Sequence, residues 1–155
     1  MATLYDRQMQ QIVTKYIESG QKWPASSTQI AKWAIGRKLW APQPSTIVNQ
    51  CADQLAKAMC EEYITDPQGR TVRAKHAARV EDANGKQTTL WADIRTAPRK
   101  HMETAFRQRR GQILGECRQL KSDVDSYNQN ALTSNPIPMS FNFTYDLAEM
   151  EAIAS

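Results

Sequence analysis

Arg73, Lys75 and Arg79 fall at alternate positions of the segment TVRAKHAARV. In an extended strand, that spacing projects three cations from one side and Val72, Ala74, Ala78 and Val80 from the other. Arg70 and Lys86, at the flanking turns, lengthen the row. Guanidinium and ammonium groups aligned in this way suit phosphate oxygens, and such binding weakens steeply with salt. A solvated strand face would use the same residues, because Lys and Arg also discourage edge-to-edge pairing.

A second group lies upstream. Ser45, Thr46, Asn49, Gln50, Asp53, Gln54 and Lys57 fall opposite Val48, Cys51, Leu55 and Ala58 when the segment is wound as a helix. Asn and Gln offer adenine both a donor and an acceptor, and Ser or Thr can serve phosphates or either base type. An ordinary solvated helix face has the same make-up.

Bond-breaking chemistry finds no comparable support. His76 sits mid-strand and His101 on a helix, each without a Cys or carboxylate at a catalytic or metal-ligating spacing. Cys51, Cys60 and Cys117 are odd in number and lack a CxxC pair, which predicts reduced thiols rather than a disulfide framework or a zinc knuckle. No glycine-rich phosphate loop, HExxH or GxSxG is present. The expectation is a binding protein with no enzyme activity, no metal and no cofactor.

These residues must be held by elements whose periods are legible. Leu4, Met9, Ile12, Val13, Tyr16 and Ile17 mark a first helix over 3–19, stopped by Gly20. Ser26 or Ser27 caps a second, running to about Leu39 with Ile30, Ala31, Ala34, Ile35 and Leu39 inward. The prolines of Ala41-Pro42-Gln43-Pro44 force a turn, and a third helix covers about 45–62. The period then changes to two: YIT, the turn DPQGR, TVRAKHAARV, the turn EDANGK with its Asn84-Gly85 pair, and QTTLWADI form a small antiparallel sheet. No internal repeat is expected. Trp23, Trp33, Trp40 and Trp91 are read as packing residues.

From Pro98 to about 127 a long helix is predicted. Met102, Phe106, Ile113, Cys117, Leu120, Val124 and Tyr127 are spaced by threes, fours or their sum, as in a seam against another helix, and Arg109 fills its one non-apolar position. Whether the seam closes within one chain or between two copies is open; a homodimer through this helix is expected. Arg99, Lys100, Arg107, Arg109 and Arg110 crowd its first half, either to flank a polyanion or to pair with Glu103 and Glu116.

Helix, helix, turn, helix and β-hairpin, in this order, resemble the winged helix-turn-helix superfamily. The matching segments are TQIAKWAIGRKL as support helix, APQP as turn, PSTIVNQCADQLAKAM as recognition helix and VRAKHAARVEDANGKQTTLWADI as wing. The resemblance spans residues 3–95 and rests on element order. It implies a mainly α (α+β) fold: a three-helix core with a small antiparallel wing, followed here by the long helix. It also implies double-stranded DNA as partner, with the third helix in the major groove and the wing on phosphates. A dimer would set two such helices against successive major grooves. The expected role is transcription regulation; the rival is a protein-interaction module.

The organisation expected is therefore a domain over 3–95, a dimerisation helix over 97–128, and a linker with an acidic, aromatic tail over 129–155. Charge follows that division. Residues 63–130 carry thirteen Lys or Arg against eight Asp or Glu, while residues 131–155 carry three acids and no base. Phe141, Phe143 and Tyr145 mark residues 137–150 as a segment for a protein partner or for folding back. No apolar run approaches the roughly 20 residues that span a bilayer, so no membrane partner and a cytoplasmic location, at the nucleoid if DNA is bound, are expected.

Overall fold

The computed structural model of the chain describes residues 2–131 and 135–154. Part of the expected linker, residues 132–134, lies outside them. The described residues form five helices and two small antiparallel hairpins, an α+β arrangement. The chain divides into two compact units, Met1–Ala56 and Lys57–Ser155.

In the first unit, α1 (Leu4–Glu18) and α2 (Ser27–Gly36) each begin in a capping box, Thr3 with Asp6 and Ser26 with Gln29. Each cap satisfies two otherwise free backbone donors. The third helix, α3 (Thr46–Cys60), starts in this unit and ends in the second. Helices α1 and α2 pack together through Ile12, Tyr16 and Ala34, with the rings of Tyr16 and Trp33 edge-on at 5.3 Å. The Tyr16 hydroxyl donates to the Lys22 carbonyl, tying the α1–α2 loop to the core.

Three expectations need correction here. Val48, Cys51, Leu55 and Ala58 face solvent, and α3 buries no residue. Its apolar stripe is regular, but α1 and α2 pack on each other and α3 makes no comparable contact with either, so the stripe has no surface to bury against. Trp23 is half exposed rather than packed. Within α2 only Ala34 is buried, because two helices cover one stripe incompletely; an apolar groove of about 510 Å³, lined by Met9, Ile12, Ile30, Ile35 and Trp40 among others, remains open.

The second unit is built on two hairpins: β1 (Tyr63–Thr65) with β2 (Thr71–Arg73), and β3 (Lys75–Glu81) with β4 (Gln87–Asp93). The expected single sheet is thus interrupted at Ala74. That residue is fully buried; its N–H donates to the Glu62 carbonyl at 2.9 Å and its carbonyl accepts from Ile94 at 2.8 Å, so it joins both hairpins.

A repeat that the sequence reading missed closes the two hairpins. Asp66-Pro67-Gln68-Gly69-Arg70 and Asp82-Ala83-Asn84-Gly85-Lys86 share the pattern Asp-x-amide-Gly-base. In each, the Asp Oδ1 accepts from the backbone N–H groups two and four residues on, at 2.8 to 3.0 Å. The glycines stand at φ +85° and +76°, conformations that any side chain would strain.

Helix α4 (Arg99–Asn130), with 32 residues and so about 48 Å long, packs its first turns on β3. The His101 Nε2 donates to the His76 carbonyl at 2.9 Å, and the Gln108 side chain bonds the backbone of Arg79. Seven helical residues rise ~10.5 Å and three strand residues ~10 Å, so the two elements run parallel in matched register. Ala78 and Ala105, small and nearly fully buried, allow the close approach. The tail forms α5 (Thr144–Ala154), a helix not foreseen, and the Asn128 side chain bonds both backbone groups of Ile137. None of the described helices is long and apolar enough to cross a membrane.

Candidate nucleic-acid interface

Alternation along β3 puts His76 and Ala78 on its buried side and Lys75, Ala77 and Arg79 on the other. Across the strands, Ala77 pairs with Trp91 and Arg79 with Thr89. Helix α4 runs alongside and contributes Ala105, Gln108, Arg109 and Gln112, one stripe at helical spacings of three and four. Together with Arg73 and Cys60, all of these residues except Ala78 line a cleft of about 220 Å³. Arginines 73, 79 and 109 and Lys75 border it, and no carboxylate does.

The cations differ in how far they are committed. Lys75 Nζ lies 3.0 Å from Asp93 Oδ2 and 3.3 Å from Glu62 Oε2, and these bonds, that to Asp93 foremost, raise its pKa. Arg95 adds a 2.7 Å bond to Asp93, which with the Arg95 N–H and Lys75 holds that carboxyl far below the usual carboxylate range. Arg70 is paired to Asp66 at 2.7 Å, and the Arg70 backbone N–H is the first cause of the lowered Asp66 pKa. Two members of the expected stripe therefore have their charge met by the hairpins themselves. Arg73, Arg79, Lys86 and Arg109 make no ion pair among the described residues.

The histidines are structural. The His76 Nε2 donates to the Arg73 carbonyl at 2.9 Å while its ring meets Phe106 edge-on at 5.3 Å. Phe106, read as a seam residue, thus packs within its own chain. Among the described residues, no three His, Cys, Asp or Glu side chains gather as a metal ion would require. The cysteines are free thiols.

On α3, Asn49, Gln50, Asp53, Gln54 and Lys57 are exposed, as is Ser45 in the preceding turn. Thr46 is half buried and its hydroxyl donates to the Gln43 carbonyl. The amide-rich face is open, and so is the apolar one behind it. No family model, curated protein or solved structure matches this chain.

Sequence reasoning missed Thr89, Trp91, Gln108 and Gln112 as cleft residues; Arg109 it read both as the one non-apolar seam position and as one of the cations crowding the first half of the long helix. The stripe 101, 105, 108, 112 does have helical period. Its His, Ala and Gln composition gave no apolar contrast by which to find it. Of the seam, Met102, Cys117 and Val124 are half-buried, whereas Ile113, Leu120 and Tyr127 are about half exposed.

Proposed function

We propose that the chain binds double-stranded DNA as a sequence-specific regulator of transcription. The observation that carries this reading is the acid-free cationic cleft: Arg73, Arg79 and Arg109 uncommitted beside β3, with Lys86 at the hairpin tip. Such a cluster in a chain of net charge +4 fits a polyanion. The hairpin and the start of α4 take phosphates; the open face of α3, with Asn49, Gln50 and Gln54, reads base edges. Element order supports a winged-helix relation, with β3–β4 as the wing. The exposed Ile113, Leu120 and Tyr127 support a homodimer through α4.

A random-duplex selection at low salt, with the triple variant R73A/R79A/R109A beside the wild type, tests the reading. Enrichment of one sequence by the wild type and its loss in the variant is the expected result. Absence of duplex binding at low salt refutes it.

A second reading, assembly with a protein partner, is favoured by α5, where Tyr145, Leu147, Met150 and Ile153 are more than half exposed beside Asp146, Glu149 and Glu151. Removing residues 137–155 would abolish such assembly and leave duplex binding unchanged.

A further inference from the structure

The cleft beside β3 encloses space, which a phosphate-contacting face on a duplex does not require. Its volume, about 220 Å³, is below the roughly 300–1,000 Å³ of pockets that enclose a whole drug-sized ligand, so it suits the phosphoryl group and one ring face of a small molecule whose remainder stays in solvent, rather than a length of polymer. Its lining separates into two chemistries. Arg73, Arg79 and Arg109 supply guanidinium donors, the planar forks that match phosphoryl oxygens two at a time. The two carboxylates that bond the lining Lys75 are already engaged and do not compete with a ligand, Asp93 with Lys75 and Arg95 and Glu62 with Lys75. The other chemistry is Trp91, a half-buried indole whose cross-strand partner, Ala77, has only a methyl group to place beside it.

The frame around these groups is fixed. Gln108 locks α4 to β3 at Arg79, and His101 does so at His76. One turn beyond Gln108, Gln112 lines the cleft with its amide unbonded among the described residues. It offers a donor and an acceptor to a ring edge.

We propose that this cleft is a binding site for a phosphomonoester bearing a flat ring, a mononucleotide in chemical class, with the phosphoryl group on Arg79 and Arg109, the ring against Trp91 and Arg73 adding its charge at the far end. A terminal phosphate carries close to two negative charges at neutral pH, against one for each diester of a duplex. Three uncommitted guanidiniums around a small cavity therefore favour the monoester. The proposal goes beyond duplex binding and does not depend on it. The same chemistry comes from a free nucleotide or from the 5′-phosphorylated end of a strand.

The test titrates the full chain with adenosine monophosphate, adenosine, inorganic phosphate, and a thymidine oligonucleotide with or without a 5′ phosphate. Calorimetry gives affinity, and tryptophan fluorescence, compared with W91F, reports the ring. Saturable binding of the monophosphate, weaker binding of phosphate and none of adenosine is expected. R109A should weaken the monophosphate at least about tenfold, and W91F should abolish the fluorescence change. Arg109 is exposed on a helix, so R109A should keep the wild-type fold; the equally exposed Q112A is the second variant, expected to weaken the monophosphate but not phosphate. Tighter binding of the phosphorylated oligonucleotide than of the monophosphate assigns the strand end, and equal binding assigns the free nucleotide; either supports the site. No saturable binding of any phosphorylated probe to about 10 mM, or affinities unchanged in R109A, overturns it. Duplex binding on the same samples is scored separately, so its failure with monophosphate binding intact removes the duplex reading alone.

Discussion

The side-chain amide of Gln108 engages both backbone polar groups of Arg79, its Oε1 accepting from the N–H at 2.7 Å and its Nε2 donating to the carbonyl at 2.8 Å. A helix side chain here does what an additional strand would do, closing part of the open edge of β3. Replacing Gln108 by Ala removes both bonds and leaves the Arg79 backbone groups to water. We expect a loss of about 1–3 kcal/mol in urea unfolding. Q108E keeps the acceptor and loses the donor, and should fall between. Wild-type stability in Q108A would show that α4 does not depend on this lock.

Small residues decide how closely α4 meets the sheet. Ala105 and Ala78 are 3% and 0% exposed, so A105L should overpack the contact and cost about 1–3 kcal/mol. Gly111 and Gly115 provide the contrast. A Cβ at either meets nothing within 4 Å, so G111A and G115A should each stabilise the helix by up to about 1 kcal/mol. Thermal melts of the three variants check both signs. Destabilisation by G115A with loss of self-association would instead mean that a second copy approaches closely there.

The pH dependence follows from Asp93. Its folded pKa is held well below the ordinary 3.8 by the Arg95 side chain, the Arg95 backbone N–H and Lys75. A depressed carboxyl contributes stability that is fully present above the unfolded pKa and is lost as pH falls toward the folded one. D93N should therefore lower the melting temperature at neutral pH. The gap to wild type should narrow on acidification below about pH 4. A gap independent of pH would contradict this origin.

Salt offers a check on the proposed interface. If Arg73, Arg79 and Arg109 each neutralise one phosphate, the triple alanine variant should reduce the slope of log affinity against log salt by about 0.9 per contact. A slope unchanged from wild type would place the phosphate contacts elsewhere.

Self-association is read from the distal half of α4. L120K/Y127K should convert a dimer to a monomer in sedimentation while leaving the α4–β3 contact intact, since neither residue lies on the 101–112 stripe. A wild-type monomer at micromolar concentration would remove the homodimer from the proposal.

Much of the fold was legible because local rules mark it. Ser26 caps a helix, Gly20 ends one, Pro98 precedes another, and Asn84-Gly85 turns a hairpin; each acts within four residues of itself. Helix ends differed from expectation by a few residues, as at Gly36 in place of Leu39. The apolar period of α3 was equally plain but led to a wrong burial, because a stripe states which residues could pack and not whether a partner surface exists.

The sequence alone determined α1 to α4, the strands with their turns, their order and the alternation that puts Arg79 opposite the side of Ala78. Tertiary structure decided which stripe of α4 meets the sheet, which cations are already paired and where a cleft opens. The reason is range. His101 to His76 and Gln108 to Arg79 are side-chain-to-backbone bonds across 25 and 29 residues. Any residue's backbone can accept such a bond, so nothing in the amino-acid types foretells the partner; only the packed chain, with Ala78 and Ala105 both buried where α4 meets β3, selects it.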